Sequence, residues 1–175
     1  RRQRQMCIRD SYRIDKNQMI ASRIAGGVIW SYGNATTAPY TEQFYIGGAN
    51  SVRAFSARSI GPGGYPPETD RKYTYINHVG DIRMEANIEY RFRMIADLHG
   101  AVFLDAGNVW LMRKDENRPN GEFTLKNFPK QIALGTGFGL RYDLDFLVFR
   151  LDLGIGLHDP YDTGKSGYYN IPKFK

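Results

Sequence analysis

Two carboxylates, Glu89 and Asp105, stand in segments where polar and apolar residues alternate. A pair of acids facing one another could protonate and attack a glycosidic bond, but nothing else in the chain builds a sugar cleft around them. The run DPYDTGKS, Asp159 to Ser166, approaches a phosphate-binding loop. However, Asp159 stands where the first glycine belongs, and no helical periodicity follows. Gly135, Gly137 and Gly139 have the composition of a dinucleotide loop, yet they recur with period two inside one strand pattern. His78, His99 and His158 share no metal-ligand spacing. Asn34-Ala-Thr36 is a formal glycosylation sequon and is read as chance. Cys7 is the one cysteine, so there is no disulfide framework to build on. Arginines and lysines interleave with aromatics, but they sort onto strand faces rather than one patch, which argues against nucleic acid. No cofactor or metal is expected, and the chain is not expected to be an enzyme. The remaining candidate is Arg53, in a long loop; on spacing alone it reads as a solvated surface arginine.

The elements that must position these residues are strands. From Asp81 to Phe92, Ile82, Met84, Ala86, Ile88, Tyr90 and Phe92 fall on one face, and Asp81, Arg83, Glu85, Asn87, Glu89 and Arg91 on the other. Four further segments repeat this alternation, so strands are expected at about 18–32, 81–92, 100–110, 131–142 and 147–158. Ordinary strands run to about 5–6 residues, whereas tilted membrane strands need about 9–11. The longer measure fits these segments and favours a membrane β-barrel wall over a soluble sandwich. Mean hydropathy is −0.49 and no apolar run could form a helical span; a barrel strand averages out as hydrophilic because only one face meets lipid. Aromatics near strand ends, Trp30, Tyr32, Tyr90, Phe92, Trp110, Tyr142 and Phe146, suit interfacial girdles. Connections alternate between short (Arg93–His99, Asp143–Asp145) and long (Gly33–Gly80, Leu111–Lys130), which places the long ones on the cell exterior. The expected fold is all-β: an antiparallel meander of about five long strands, part of a transmembrane β-barrel with one long inward-folded loop.

The middle of the first long loop reads FYIGGANSVRAFSARSIGPGG, residues 44–64. It resembles the conserved inward-folded loop of the BamA/TamA-like outer-membrane assembly and translocation family, with its GG-x-x-SVRGF-x-x-x-x-IGP pattern. The matching positions are Gly47, Gly48, Ser51, Val52, Arg53, Phe55, Ile60, Gly61 and Pro62, with Ala54 where the family has glycine. That departure puts any left-handed backbone at this position in doubt. GDIRMEANIEYRF and GAVFLDAGNVW resemble the family's next two strands, so the likeness covers about residues 17–160. The resemblance implies that the loop tip enters the barrel lumen and that Arg53 meets Glu89 and Asp105 there. Both acids lie on the polar faces derived above, where a carboxylate is costly unless paired, and a guanidinium fork can bridge two of them. Gly135, Gly137, Gly139, Gly154 and Gly156 also fall on the inward face and leave room for a plugging loop.

Further expectations follow from the same resemblance. The parent protein inserts outer-membrane proteins or translocates polypeptides in a Gram-negative outer membrane, with lipid, substrate polypeptides and accessory periplasmic or lipoprotein subunits as partners. A two-partner-secretion transporter, or a barrel fused to an upstream patatin-like lipase, is the alternative; a passive porin fits the loop motif poorly. The strand that closes family barrels is expected to be missing, and five strands fall short of the roughly eight a membrane barrel needs. The organisation is expected to be a partial barrel domain at 12–175, preceded by residues 1–11 as a sequencing-adaptor artefact or disordered arm. The run QMCIRD-Ser11 resembles the translation of a transposase-end adaptor, and residues 1–10 hold four arginines and one aspartate, without which the formal charge of +6 falls to +3. No secretory apolar segment is visible.

Overall fold

The computed structural model describes residues 2–31, 38–66, 77–95, 97–144 and 146–161. The end of the first expected strand at Tyr32, the sequon at Asn34 and the glycine-lysine part of DPYDTGKS lie outside these residues. Six strands form one sheet: β1 (Arg2–Asp15), β2 (Gln18–Trp30), β3 (Ile82–Ile95), β4 (Leu98–Trp110), β5 (Ala133–Asp143) and β6 (Val148–His158). Each pairs antiparallel with the next in sequence, so the order is β1 to β6 without a crossover. The sheet is not closed.

The count is six rather than five. The segment expected to stand apart as an arm is instead a 14-residue strand, paired with β2 from Arg2 opposite Trp30 to Asp15 opposite Gln18. Its outward residues include Met6, Ile8, Tyr12 and Ile14, all exposed. Asp10 breaks that apolar row, and an arginine-rich start hides the alternation. Gln131 also leaves its expected strand and lies in a 3-10 turn, Phe128–Gln131.

The polarity of the sheet is inverted relative to a soluble protein. On one face Ile24, Ile88, Leu104, Phe138 and Leu153 are exposed, Leu153 at 66%. On the other face Glu85, Glu89 and Asp105 are buried, Asp105 at 0%. A water-soluble sheet hides its apolar face and solvates its charges; here the apolar face has no protein cover. Strands of 11 to 14 residues, rising about 3.4 Å per residue, can cross a hydrocarbon core of about 30 Å when tilted. The apolar face is the lipid face, and the acids line the lumen.

The core sits inside the curve of the sheet. Phe44 bridges Gly80, and the described loop residues after Phe44 pack against the inner wall. Ile46, Val52 and Ile60 from this loop pack with Ile29, Val109 and Ala133 of the wall, with Phe55 against them. The second long loop closes over the outer end. There Trp110, expected at a membrane girdle, is fully buried. It meets Phe123 edge-on at 5.6 Å and a tilted Phe128 ring at 5.3 Å, and its indole N–H donates to Gln131 Oε1 at 3.0 Å. The outer loop covers this end of β4, so its outward positions leave the lipid face. Asn108 secures the junction by donating to the carbonyls of Gly63 (2.8 Å) and Gln131. Trp110→Ala is expected to cost about 3–5 kcal/mol, read as an earlier heat-induced loss of the compact, gel-shifted folded band.

Candidate functional site

The inward loop reaches the wall at Arg53. Its Nε and one terminal amine donate to the two oxygens of Asp105, each at 2.8 Å, a bidentate fork. Its backbone N–H adds a third bond to Asp105 Oδ2 at 3.0 Å. The other terminal amine donates to Glu89 Oε2 at 2.5 Å. The guanidinium also lies 3.6 Å from the centre of the Phe103 ring, which faces inward between the two acids' strands. Burial works against the Arg53 charge, but Asp105 and then Glu89 outweigh it and raise its pKa above the ordinary arginine value. The arginine therefore stays charged while only 6% of its side chain is exposed.

Strand register is what brings these groups together. Glu89 lies on β3 opposite Phe103 on β4, and Asp105 lies two residues beyond Phe103, opposite Asn87. Side chains two apart on one strand share a face, so all four project into the lumen. Each remaining oxygen has a use. Glu89 Oε1 accepts from Arg91 (2.5 Å) and from Arg141. Asn87 donates to Asp105 Oδ1 and to the Ser51 carbonyl, both at 2.8 Å.

A second contact, not anticipated from the sequence, lies one step along the same face. The Ser51 hydroxyl donates to Glu85, which is also held by Arg23 (2.8 Å) and Arg83 (2.7 Å). Arg23 in turn donates to Asn87 at 2.9 Å, joining the two clusters. Glu85, Asn87 and Glu89 share the alternating polar set of β3, so the parity that singled out Glu89 contained the signal for the other two. Arg141 and Phe103 were legible only as inward residues, not as partners.

The other loop residues shape the tip. Val52 is wholly buried in the lumen core, and Phe55 packs beside it. Gly47 and Gly48 have φ of 99° and 88°, left-handed backbone that favours glycine. They let the Gly48 N–H reach the Phe55 carbonyl at 2.8 Å and close the tip. Gly61 (φ 84°) precedes the cis-linked Pro62, and a side chain there would strike Val109. Ala54, by contrast, is not among the left-handed residues. Its methyl fits against the wall glycines: a Cβ on Gly135 would lie 2.5 Å from the Ala54 Cβ, and one on Gly154 would lie 2.8 Å from the Ala54 Cα. Gly156 faces the Phe55 ring. Gly137 and Gly139 serve other neighbours, the Phe103 ring and Asp152.

The decoys stay apart. Among the described residues no group of three His, Cys, Asp or Glu side chains could hold a metal ion. Glu89 and Asp105 are filled by arginine donors rather than facing an open cleft.

A model of the Omp85 superfamily domain matches residues 10–170. The chain belongs to the Omp85 superfamily. It is 27% identical over 167 residues to the outer membrane protein assembly factor BamA of Nitratidesulfovibrio vulgaris, covering 94% of this chain and 18% of that protein. Against BamA of Neisseria meningitidis serogroup B, identity is 29% over 89 residues, 48% of this chain and 11% of that protein. The fold resembles the crystal structure of BamA from Haemophilus ducreyi lacking POTRA domains 1–3, with a TM-score of 0.70 at 18% identity, over 89% of this chain and 31% of that one. This Omp85 chain thus spans less than a fifth of the curated relatives it matches and about a third of the solved barrel. Its place is the Gram-negative outer membrane. The relatives are named as assembly factors and not as enzymes.

Proposed function

We propose that the parent protein assembles polypeptides into, or moves them across, the outer membrane, and that the segment described here supplies the wall and loop lock of its barrel. The observation that carries this is the Arg53 fork onto Asp105 and Glu89, in a wall whose opposite face is apolar. The site performs no bond chemistry. It fixes Ser51 to Phe55 against the wall, and so sets the position of the loop between the cell exterior and the lumen. Its environment is outer-membrane lipid; its substrates are outer-membrane or secreted polypeptides, with accessory periplasmic or lipoprotein subunits as further partners. The similarity to two BamA proteins favours insertion over secretion.

The test is reconstitution of the full-length protein in liposomes, followed by addition of an unfolded outer-membrane β-barrel substrate. Faster acquisition of protease-resistant, membrane-embedded substrate than in empty liposomes is the expected result. Release of substrate into the vesicle interior would support the transporter reading instead. No effect on either substrate fate would sink both.

A further inference from the structure

We infer that the inner wall at the short-turn end binds an acidic polypeptide segment. This rests on the proposed role in handling polypeptides, since it identifies a chemical class of chain that the lumen would hold. Four inward residues lie side by side across four strands: Arg93 of β3 opposite His99 of β4, His99 opposite Arg141 of β5, and Arg141 opposite Arg150 of β6. Like charges placed directly opposite weaken an antiparallel pair, and Arg141 and Arg150 are such a pair.

His99 and Arg141 of this row line a cavity of about 240 Å³, together with Arg13, Lys16 and Arg91. Arg13 and Lys16 make no ion pair among the described residues. Turn residues Lys16 and Asn17 line this cavity, which places it at the mouth of the lumen on the side away from the long loops. A larger hollow of about 730 Å³ continues inward past Arg150 and Arg91 to Arg9, Arg23 and the loop tip at Asn50. The acids in reach are Asp15 and Asp143 at the smaller cavity, Asp10 and Glu89 at the larger, and Asp152 beside Arg150. Glu89 pairs with Arg53, Arg91 and Arg141, and Asp152 with Arg150, so Arg13 and Lys16 are the cations of the smaller cavity that keep charge to offer.

The geometry selects the ligand. Strands lie about 4.8 Å apart, so a row across four of them spans about 14 Å. One phosphate is too small to touch it all, whereas an extended chain covers that distance in about four residues. Guanidinium forks match carboxylates, and a cleft lined by one sign of charge concentrates the opposite sign. The ligand is therefore a carboxylate-rich stretch of polypeptide entering from the short-turn end.

The experiment uses full-length protein in detergent micelles and fluorescein-labelled octaglutamate, with octaglutamine as the neutral control, followed by anisotropy. Octaglutamate is expected to bind, and to weaken as ionic strength rises past about 0.15 M. Arg13→Gln and Lys16→Gln, neither of which touches the inward loop or its partners, should each weaken it by about fivefold, while His99→Arg should tighten it. The gel-shifted folded band of each variant separates lost binding from lost folding. Equal binding of octaglutamine, absence of octaglutamate binding, or displacement of octaglutamate by equimolar inorganic phosphate would overturn the inference. Binding of octaglutamate by a protein that fails the liposome assay would count against the proposed function and leave this site standing.

Discussion

Arg53→Ala is expected to free the inward loop and to destabilise the barrel by about 3–5 kcal/mol, the range for breaking one side of a buried ion pair. Asp105 is wholly buried and takes two side-chain bonds from Arg53. Without them it retains Asn87 and the residue 53 amide as donors, if the loop stays seated at all. The lost cation–π contact with Phe103 adds to the cost. The check is a urea titration of purified full-length protein followed by the gel-shifted folded band. Arg53→Lys separates charge from geometry: an ammonium keeps the charge but cannot form the planar fork. If the lysine variant unfolds at the same urea concentration as wild type, the bidentate geometry is unimportant and the lock is a matter of net charge alone. If the alanine variant does so, there is no lock.

Gly154→Val acts from the other side of the same contact and is expected to expel the loop tip without touching a charged residue. The new Cβ would lie 2.8 Å from the Ala54 Cα, 3.0 Å from its nitrogen and 3.2 Å from the Arg53 carbonyl carbon. All three are backbone atoms, so no side-chain rotation relieves the clash. Overpacking of this kind costs about 1–3 kcal/mol where the surroundings can give. Here the loop gives way only by moving Arg53 off Asp105, so the two losses combine. Val52→Cys, buried while the tip is seated, in a background with Cys7 replaced, reports the outcome through the rate of labelling by a membrane-impermeant maleimide. Labelling should rise sharply with Gly154→Val. Gly26→Val is the control: its Cβ would meet only the Arg83 carbonyl at 3.8 Å, and labelling should not change. A rise in both variants would mean general loosening rather than loss of a fitted seat.

The meander and its inverted polarity were legible in the residues because a strand writes its two faces alternately into the chain. β3 and β6 do so almost without interruption. β1 was missed because Asp10 sits in its apolar row and arginines crowd its start, so local composition concealed a pattern that pairing with β2 brings out. Trp110 was misplaced for a different reason. Alternation tells which side a residue faces, but not where along the strand another loop lies over that side, and the loop after β4 buries it. The site divides the same way. That Glu89 and Asp105 point inward follows from parity within each strand. That Arg141 reaches Glu89, or that Ser51 meets Glu85, depends on register between strands and on the path of the loop, and neither is written in a local period.

The two acids hold Arg53 on unequal terms. Among the described residues Asp105 has no other guanidinium, whereas Glu89 keeps Arg91 and Arg141 whether or not the loop is seated. Parting from Glu89 strands no charge; parting from Asp105 leaves a buried anion with the Asn87 amide but no counter-charge. A departing loop therefore has an order of events built into it, an easy first release from β3 followed by a hard second one from β4. Between the two releases the tip would stay tethered to β4 through Asp105 alone.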